Sequence, residues 1–307
     1  MRKTKTSKRT KSTVAKERSG SSLQEKTVAI LYRPSTKLAI DKAHELAEWL
    51  EEQGATVHSA PGQNLGRNIK SVQTKDLEHL DLVVVLGGDG TYLGAVRMLG
   101  DHSIPVLGVN MGSLGFLTET RLEDLFNTVI AALSGKMEFR ARSMLSVVVR
   151  RKGRVRYQGL ALNDCVIERG SITHLINMEI HSEKHMVGIV KADALIIATP
   201  TGSTAYNLAA GGPILHPEAR AIVVTPVCPH ALTTRPVIFP DDQKLVFKMI
   251  QTDKKAILTV DGARVGDLTL DDEVTVVRNP VDHITIRKHS HNFFQLLREK
   301  LKFGERN

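Results

Sequence analysis

Between residues 27 and 135, short apolar runs alternate with amphipathic stretches, and the pattern predicts strands and helices in turn. Thr27–Tyr32, Ala55–Ser59, Leu82–Leu86 and Val106–Val109 read as four strands. Leu38, Leu46, Trp49 and Leu50 mark one face of a helix that Gly54 ends. A second helix carries Leu93, Val96, Arg97, Met98 and Leu99, and a third spans Leu122–Leu133 and stops near Gly135. Such alternation means a mainly parallel, Rossmann-like sheet with helices on its faces, which binds ligands at the carboxyl ends of its strands.

The period changes after about residue 137. Ser146–Arg150, Arg156–Leu160, Asp164–Ile167, Asn177–His181, Leu195–Thr199, Ile222–Thr225, Leu245–Ile250, Ala256–Val260 and Val274–Arg278 are short strands separated by Gly, Pro, Asp and Asn turns. They predict an antiparallel β domain, a sandwich or a partly closed barrel. Helical spacing returns over Phe293–Phe303 through Phe293, Phe294, Leu297 and Leu301, and this helix is expected to pack back on the first domain. The predicted organisation is a basic tail over 1–26, an α/β domain over 27–136 completed by 283–307, and a β-rich domain over 137–282.

Composition changes this picture in one place. The net charge of +9 suggests an anionic partner, but residues 1–18 hold eight Lys/Arg and one Glu. The rest of the chain carries about +2, without the basic patch of a nucleic-acid binder. The tail is expected to be disordered. No apolar run is long enough for a bilayer, so neither nucleic acid nor membrane is an expected partner. Two cysteines, Cys165 and Cys228, do not make a disulfide framework; a reducing, cytoplasmic setting follows, with each cysteine read as a small core residue.

The most chemical segment follows the third strand: Gly87-Gly88-Asp89-Gly90-Thr91. Glycines allow close approach to the main chain, and free amides ahead of a helix make a seat for phosphate. Asp89 does not suit a simple phosphate cradle. It suits a group that takes a hydroxyl proton, one that holds Mg²⁺ beside phosphate, or a plain helix cap.

Other segments extend the site. Gly108–Phe116 places Asn110 after the fourth strand and keeps its backbone open at Gly112 and Gly115. Asn163-Asp164 are adjacent, so they serve one ligand only at a bulge or a strand end. Lys191-Ala192-Asp193 precedes an apolar strand and the hydroxyl-rich Thr199–Asn207 turn, where Tyr206 offers a flat face or a phenol. Thr225–His230 holds two prolines, while His174, His181 and His185 match no zinc spacing.

In this order, the five segments resemble the NAD kinase family over roughly residues 27–300. The resemblance implies transfer of the ATP γ-phosphate to the 2′-hydroxyl of the adenosine ribose of NAD, with Mg²⁺ or another divalent ion and ATP as donor. It also implies an α/β domain joined to a β sandwich, and a homo-oligomer, dimer or tetramer. By motif match, Asp89 corresponds to the general base and Gly90 to its neighbour; Gly87, Gly88, Gly90, Thr91 and Asn110 correspond to the phosphate and ATP seat. Asn163 and Asp164 correspond to ribose binders, Phe116 lies toward adenine and His174 toward phosphate. Lys191, Asp193 and Thr204, Ala205, Tyr206, Asn207, Leu208 and Ala209 form the dinucleotide strip.

Two positions depart from the family. It usually carries Asn-Glu where this chain has Asn163-Asp164, and many members carry Gln where Ala263 follows Asp261-Gly262. Two other readings use the same turn: a diacylglycerol- or sphingosine-type lipid kinase, and a non-catalytic NAD(P)-binding sensor. The first motif is shared with lipid kinases, whereas Thr199–Tyr206 favours NAD.

Overall fold

The computed structural model describes residues 23–304 apart from 113, 172–173, 251–254 and 289–291. The expected disordered tail lies outside these residues up to position 22. Its last four positions are a correction: Leu23 is buried, and Lys26 Nζ lies 2.7 Å from Asp81.

The first domain runs β1 (Thr27–Tyr32), α1 (Lys37–Glu52), β2 (Thr56–Ser59), β3 (Lys70–Ser71), β4 (Leu82–Gly87), α2 (Asp89–Leu99), β5 (Val106–Asn110), β6 (Thr120–Arg121), α3 (Leu125–Leu133) and β7 (Glu138–Arg142). The second holds β8 (Leu145–Arg151), β9 (Arg154–Ala161), β10 (Asp164–Arg169), β11 (Ile176–Ser182), β12 (His185–Ala192), β13 (Ala194–Ala198), α4 (Tyr206–Ala209), β14 (Ala221–Val227), β15 (Val237–Pro240), β16 (Leu245–Met249), β17 (Ala256–Val260), β18 (Ala263–Leu268) and β19 (Asp272–Arg278). The chain then returns as β20 (His283–Arg287) and α5 (Phe293–Leu301).

The first sheet has the order β3-β2-β1-β4-β5-β20-β7, with β6 beside β5. Its pairs are parallel except β20 with β7. Strict alternation splits its core. Val28 and Ile30 join Val84 and Leu86 under α1 and α3, whereas Ala29 and Leu31 join Val83 and Val85 under α2. The helix faces differ from expectation. Leu38 is 46% exposed, because Ala39, Ala43, Leu46, Ala47, Trp49 and Leu50 carry the buried stripe of α1. In α2 the buried set is Tyr92, Ala95, Val96 and Leu99, and in α5 it is Phe293, Leu296 and Leu297, leaving Phe294 and Leu301 outside.

The β domain is a sandwich of two antiparallel six-stranded sheets, β12-β11-β16-β19-β8-β9 and β15-β14-β13-β10-β17-β18. Its core interleaves Val147, Val149 and Phe247 with Ile167, Ile197 and Leu258. The run Ala194–Ala198 is wholly apolar because β13 is covered on both faces, by that core and by Ala210 and Leu215. Cys165 is buried there, but Cys228 is exposed, contrary to the core role expected for it. Met144, Leu160 and Leu162 of the second domain pack in one cluster with Tyr92, Leu99 and Leu117 of the first, so the two domains share a core.

Candidate functional site

The glycine turn forms where β4 ends and α2 begins. Thr91 and Tyr92 donate to Gly88 O at 2.9 and 3.0 Å, closing the first helical turn and leaving the amides before them outside the helix ladder. Asp89 is the first residue of α2, and its carboxylate bonds across to the loop after β5. Phe116 N donates to Oδ2 at 2.9 Å; Leu117 N, Thr118 N and Thr118 Oγ1 donate to Oδ1 at 3.1, 3.1 and 3.0 Å. Oδ1 is thus filled, and Oδ2 keeps room for one more donor. Gly115 makes this approach feasible, because a Cβ there would overlap Asp89 Oδ1.

Asn110 is level with Gly87 in the β4–β5 ladder. It is buried, and its amide is engaged inside the loop: Gly112 N donates to Oδ1 at 2.6 Å and Nδ2 donates to Thr118 Oγ1 at 3.0 Å. Its amide shapes the loop that holds Asp89. Thr118, which the motifs did not single out, is the hub of that network.

Asn163 and Asp164 do stand at a strand end, since Asp164 opens β10. Three main-chain amides, Leu162 N, Asn163 N and Asp164 N, donate to the Asp261 carboxylate at 2.8, 2.8 and 3.1 Å. Thr199 takes the other side, with its N on Asn163 O at 2.9 Å and its Oγ1 on Leu162 O at 2.5 Å. Among the described residues no hydrogen bond reaches the Asp164 carboxyl, and the residue is 5% exposed. Burial, aided by the neighbouring Asp261 charge, pushes its pKa up to about 7. A buried carboxyl without a partner is poised for a polar ligand.

The strip after β13 divides. Thr204, Ala205 and Leu208 are half-buried, and Tyr206 and Ala209 are exposed. Asn207 is fully buried and spent: Nδ2 donates to Ser203 O and Pro213 O at 3.0 Å each, and Oδ1 accepts from Thr225 Oγ1 at 2.6 Å. Its side chain braces the turn from within the strip. Beyond lies a cavity of about 260 Å³ whose lining includes Arg169, His174, Lys191 and Lys255. Asp193 is at its border, 2.6 Å from Arg169 Nη1. His230 N donates to Lys191 O at 2.8 Å, which ties the proline turn to the same place. Among the described residues no three His, Cys, Asp or Glu side chains gather as a metal cage, and no helix is long and apolar enough to cross a membrane.

Leu117, beside the Asp89 loop, and Leu162, beside Asn163, belong to one cluster, so both polar segments are anchored in the shared core. This arrangement puts both polar segments where an α/β sheet meets a β sandwich, the architecture of a class of two-domain nucleotide-binding proteins. Comparisons narrow the class. Residues 28–137 match the ATP-NAD kinase N-terminal domain and residues 162–287 the ATP-NAD kinase C-terminal domain. The chain is 51% identical over 301 residues to an NAD kinase of Bdellovibrio bacteriovorus, covering 97% of this chain and 99% of that one. It is 42% identical to an NAD kinase of a Geobacter species, covering 92% and 100%. Among solved structures it resembles yeast NADH kinase complexed with NADH, with TM-score 0.84, 27% identity and coverage of 92% and 89%. An Archaeoglobus fulgidus NAD kinase in complex with ATP shares the fold at TM-score 0.70 and 23% identity, covering 89% of this chain and 98% of that one. The chain belongs to the ATP-NAD kinase family.

Proposed function

We propose that this NAD kinase moves the γ-phosphate of ATP to the 2′-hydroxyl of the adenosine ribose of NAD, with Asp89 as general base. The position of the Asp89 carboxylate carries the assignment. It stands at the glycine turn with Oδ1 filled by three donors and Oδ2 holding one. Oδ2 is the oxygen with room to orient a hydroxyl and receive its proton as the new P–O bond forms.

A secondary hydroxyl is a poor nucleophile, and proton removal supplies only part of the rate. The remainder comes from in-line placement and from neutralising phosphate charge. The amides of Gly88, Asp89 and Gly90 at the start of α2 suit the donor phosphates. Magnesium fits as a companion of the triphosphate, since an ion that keeps waters and phosphate oxygens as ligands needs no protein cage. When bound it offsets charge on the donor phosphates.

On the acceptor side, Asn163 and Asp164 take ribose hydroxyls and Phe116 lies toward adenine. Tyr206 leads the exposed strip. Lys191 and His174 line the cationic cavity, which suits the anionic part of the dinucleotide. The resemblance adds a homo-oligomer, and two free cysteines accord with a reducing cytoplasm.

The test mixes purified protein with NAD, ATP and Mg²⁺ and couples product to an NADP-specific dehydrogenase. Signal that depends on ATP and on the divalent ion is expected. Intact NAD binding without signal would favour the sensor reading and reject the kinase.

A further inference from the structure

Asp261 and Gly262 are the two central residues of the β17–β18 hairpin, with φ of +46° and +72° between the paired Val260 and Ala263. Positive φ at both positions marks a type I′ turn, in which Asn and Asp are favoured first and Gly second. Turn geometry therefore accounts for an Asp at this position, but not for the direction of its carboxylate. That group lies against Leu162–Asp164 and accepts all three of their amides. Asp261 N in turn donates to Asp164 O at 2.9 Å. With the two bonds from Thr199, all six main-chain polar groups of Leu162, Asn163 and Asp164 are met by only two residues.

We propose that Asp261 is a positioning residue for acceptor binding, fixing the backbone of Asn163 and Asp164 so that both side chains face the ribose diol. This rests on the functional reading above, which gives those side chains the ribose. Satisfying every main-chain group leaves the Asn163 amide and the Asp164 carboxyl free for ligand. Electrostatics adds a second link. The Asp261 charge is one of the two causes that raise Asp164, the other and larger being burial. The remaining ionisable groups here are Arg97 from α2, which opposes the rise of Asp261, together with Tyr157 on β9 and Cys165 on β10, both raised mainly by burial.

The decisive variant is Asp261→Asn. Asn is equally at home in a type I′ turn, keeps one acceptor oxygen and loses the charge. NAD affinity, measured by calorimetry with NAD alone, is expected to fall about tenfold while the KM for ATP stays unchanged. The acid limb of NAD binding against pH is expected to move to lower pH as Asp164 loses a like charge, a shift that a purely structural defect would not produce. Parental affinity with a parental acid limb would overturn the proposal. Equal loss toward NAD and ATP would also overturn it. Failure of the parent chain to make NADP would reject the kinase reading instead, and the calorimetric comparison would still decide the role of Asp261.

Discussion

Thr118 Oγ1 donates to Asp89 Oδ1 at 3.0 Å and accepts from Asn110 Nδ2 at the same distance. One buried hydroxyl thus fixes the carboxylate and the loop around it. Thr118→Val keeps the shape and removes the bond. A hydrogen bond to a charged group contributes about 1.5–3 kcal/mol, so kcat is expected to fall at least about tenfold with little change in the KM for NAD. Steady-state kinetics check this, and a raised KM at unchanged kcat would count against it.

Gly115→Ala tests the same carboxylate from the other side. The added Cβ would overlap Asp89 Oδ1, and the carboxylate or the loop must shift. A displacement of about 1 Å at a reacting group costs on the order of 100-fold in rate. The variant is expected to fold and to lose that much turnover in the coupled assay; near-parental kcat would contradict it.

Asp164 predicts an unusual pH dependence. Its folded pKa of about 7 stands above the reference 3.8. The folded state therefore binds the proton more tightly than the unfolded chain, so stability falls as pH rises from about 4 to about 7. The full penalty, on the order of 4 kcal/mol, applies above pH 7. Asp164→Asn is expected to raise the urea midpoint clearly at pH 8 and hardly at pH 4, while weakening NAD binding. An equal gap at both pH values would contradict the assignment.

Glu119 is 3.1 Å from Arg287 Nε, with side-chain exposures of 11% and 8%. Arg142, 6% exposed, is held below its usual range by burial and by Arg287, and Glu119 opposes both effects. Removing this carboxylate leaves two buried guanidinium groups short of counter-charge. Glu119→Gln is expected to destabilise the protein by about 3–5 kcal/mol, seen as an earlier urea midpoint. An unchanged midpoint would contradict the account.

Much of this architecture is legible in the chain because local patterns agree with the final packing. β4 and β13 are covered on both faces, so they read as unbroken apolar runs, and the Gly87–Thr91 turn follows directly from one of them. β7, β12, β15 and β18 escaped because charged or exposed residues interrupt them, and β20 because its apolar content is only Ile284 and Ile286 between polar ends. Glu138-Phe-Arg-Ala-Arg142 becomes a strand only through its pairing with His283–Arg287, far away in sequence. The motifs located Asp89, Asn163 and Asp164. They could not reveal that Asn110 and Asn207 face inward, since side-chain direction depends on partners such as Thr118 and Thr225. Asp261 was visible only as half of an Asp-Gly turn; its grip on Leu162–Asp164 spans 97 to 99 residues of sequence and leaves no local trace.

The central claim is that Asp89 acts on the ribose hydroxyl rather than merely holding the loop. Asp89→Asn keeps size and acceptor capacity at one oxygen. Calorimetry with NAD and a single-turnover measurement of NADP formation with ATP and Mg²⁺ separate binding from chemistry. NAD affinity within about twofold of the parent, with the transfer rate reduced at least about 100-fold, is the result expected of a lost general base. Transfer at close to the parental rate would remove Asp89 from that role.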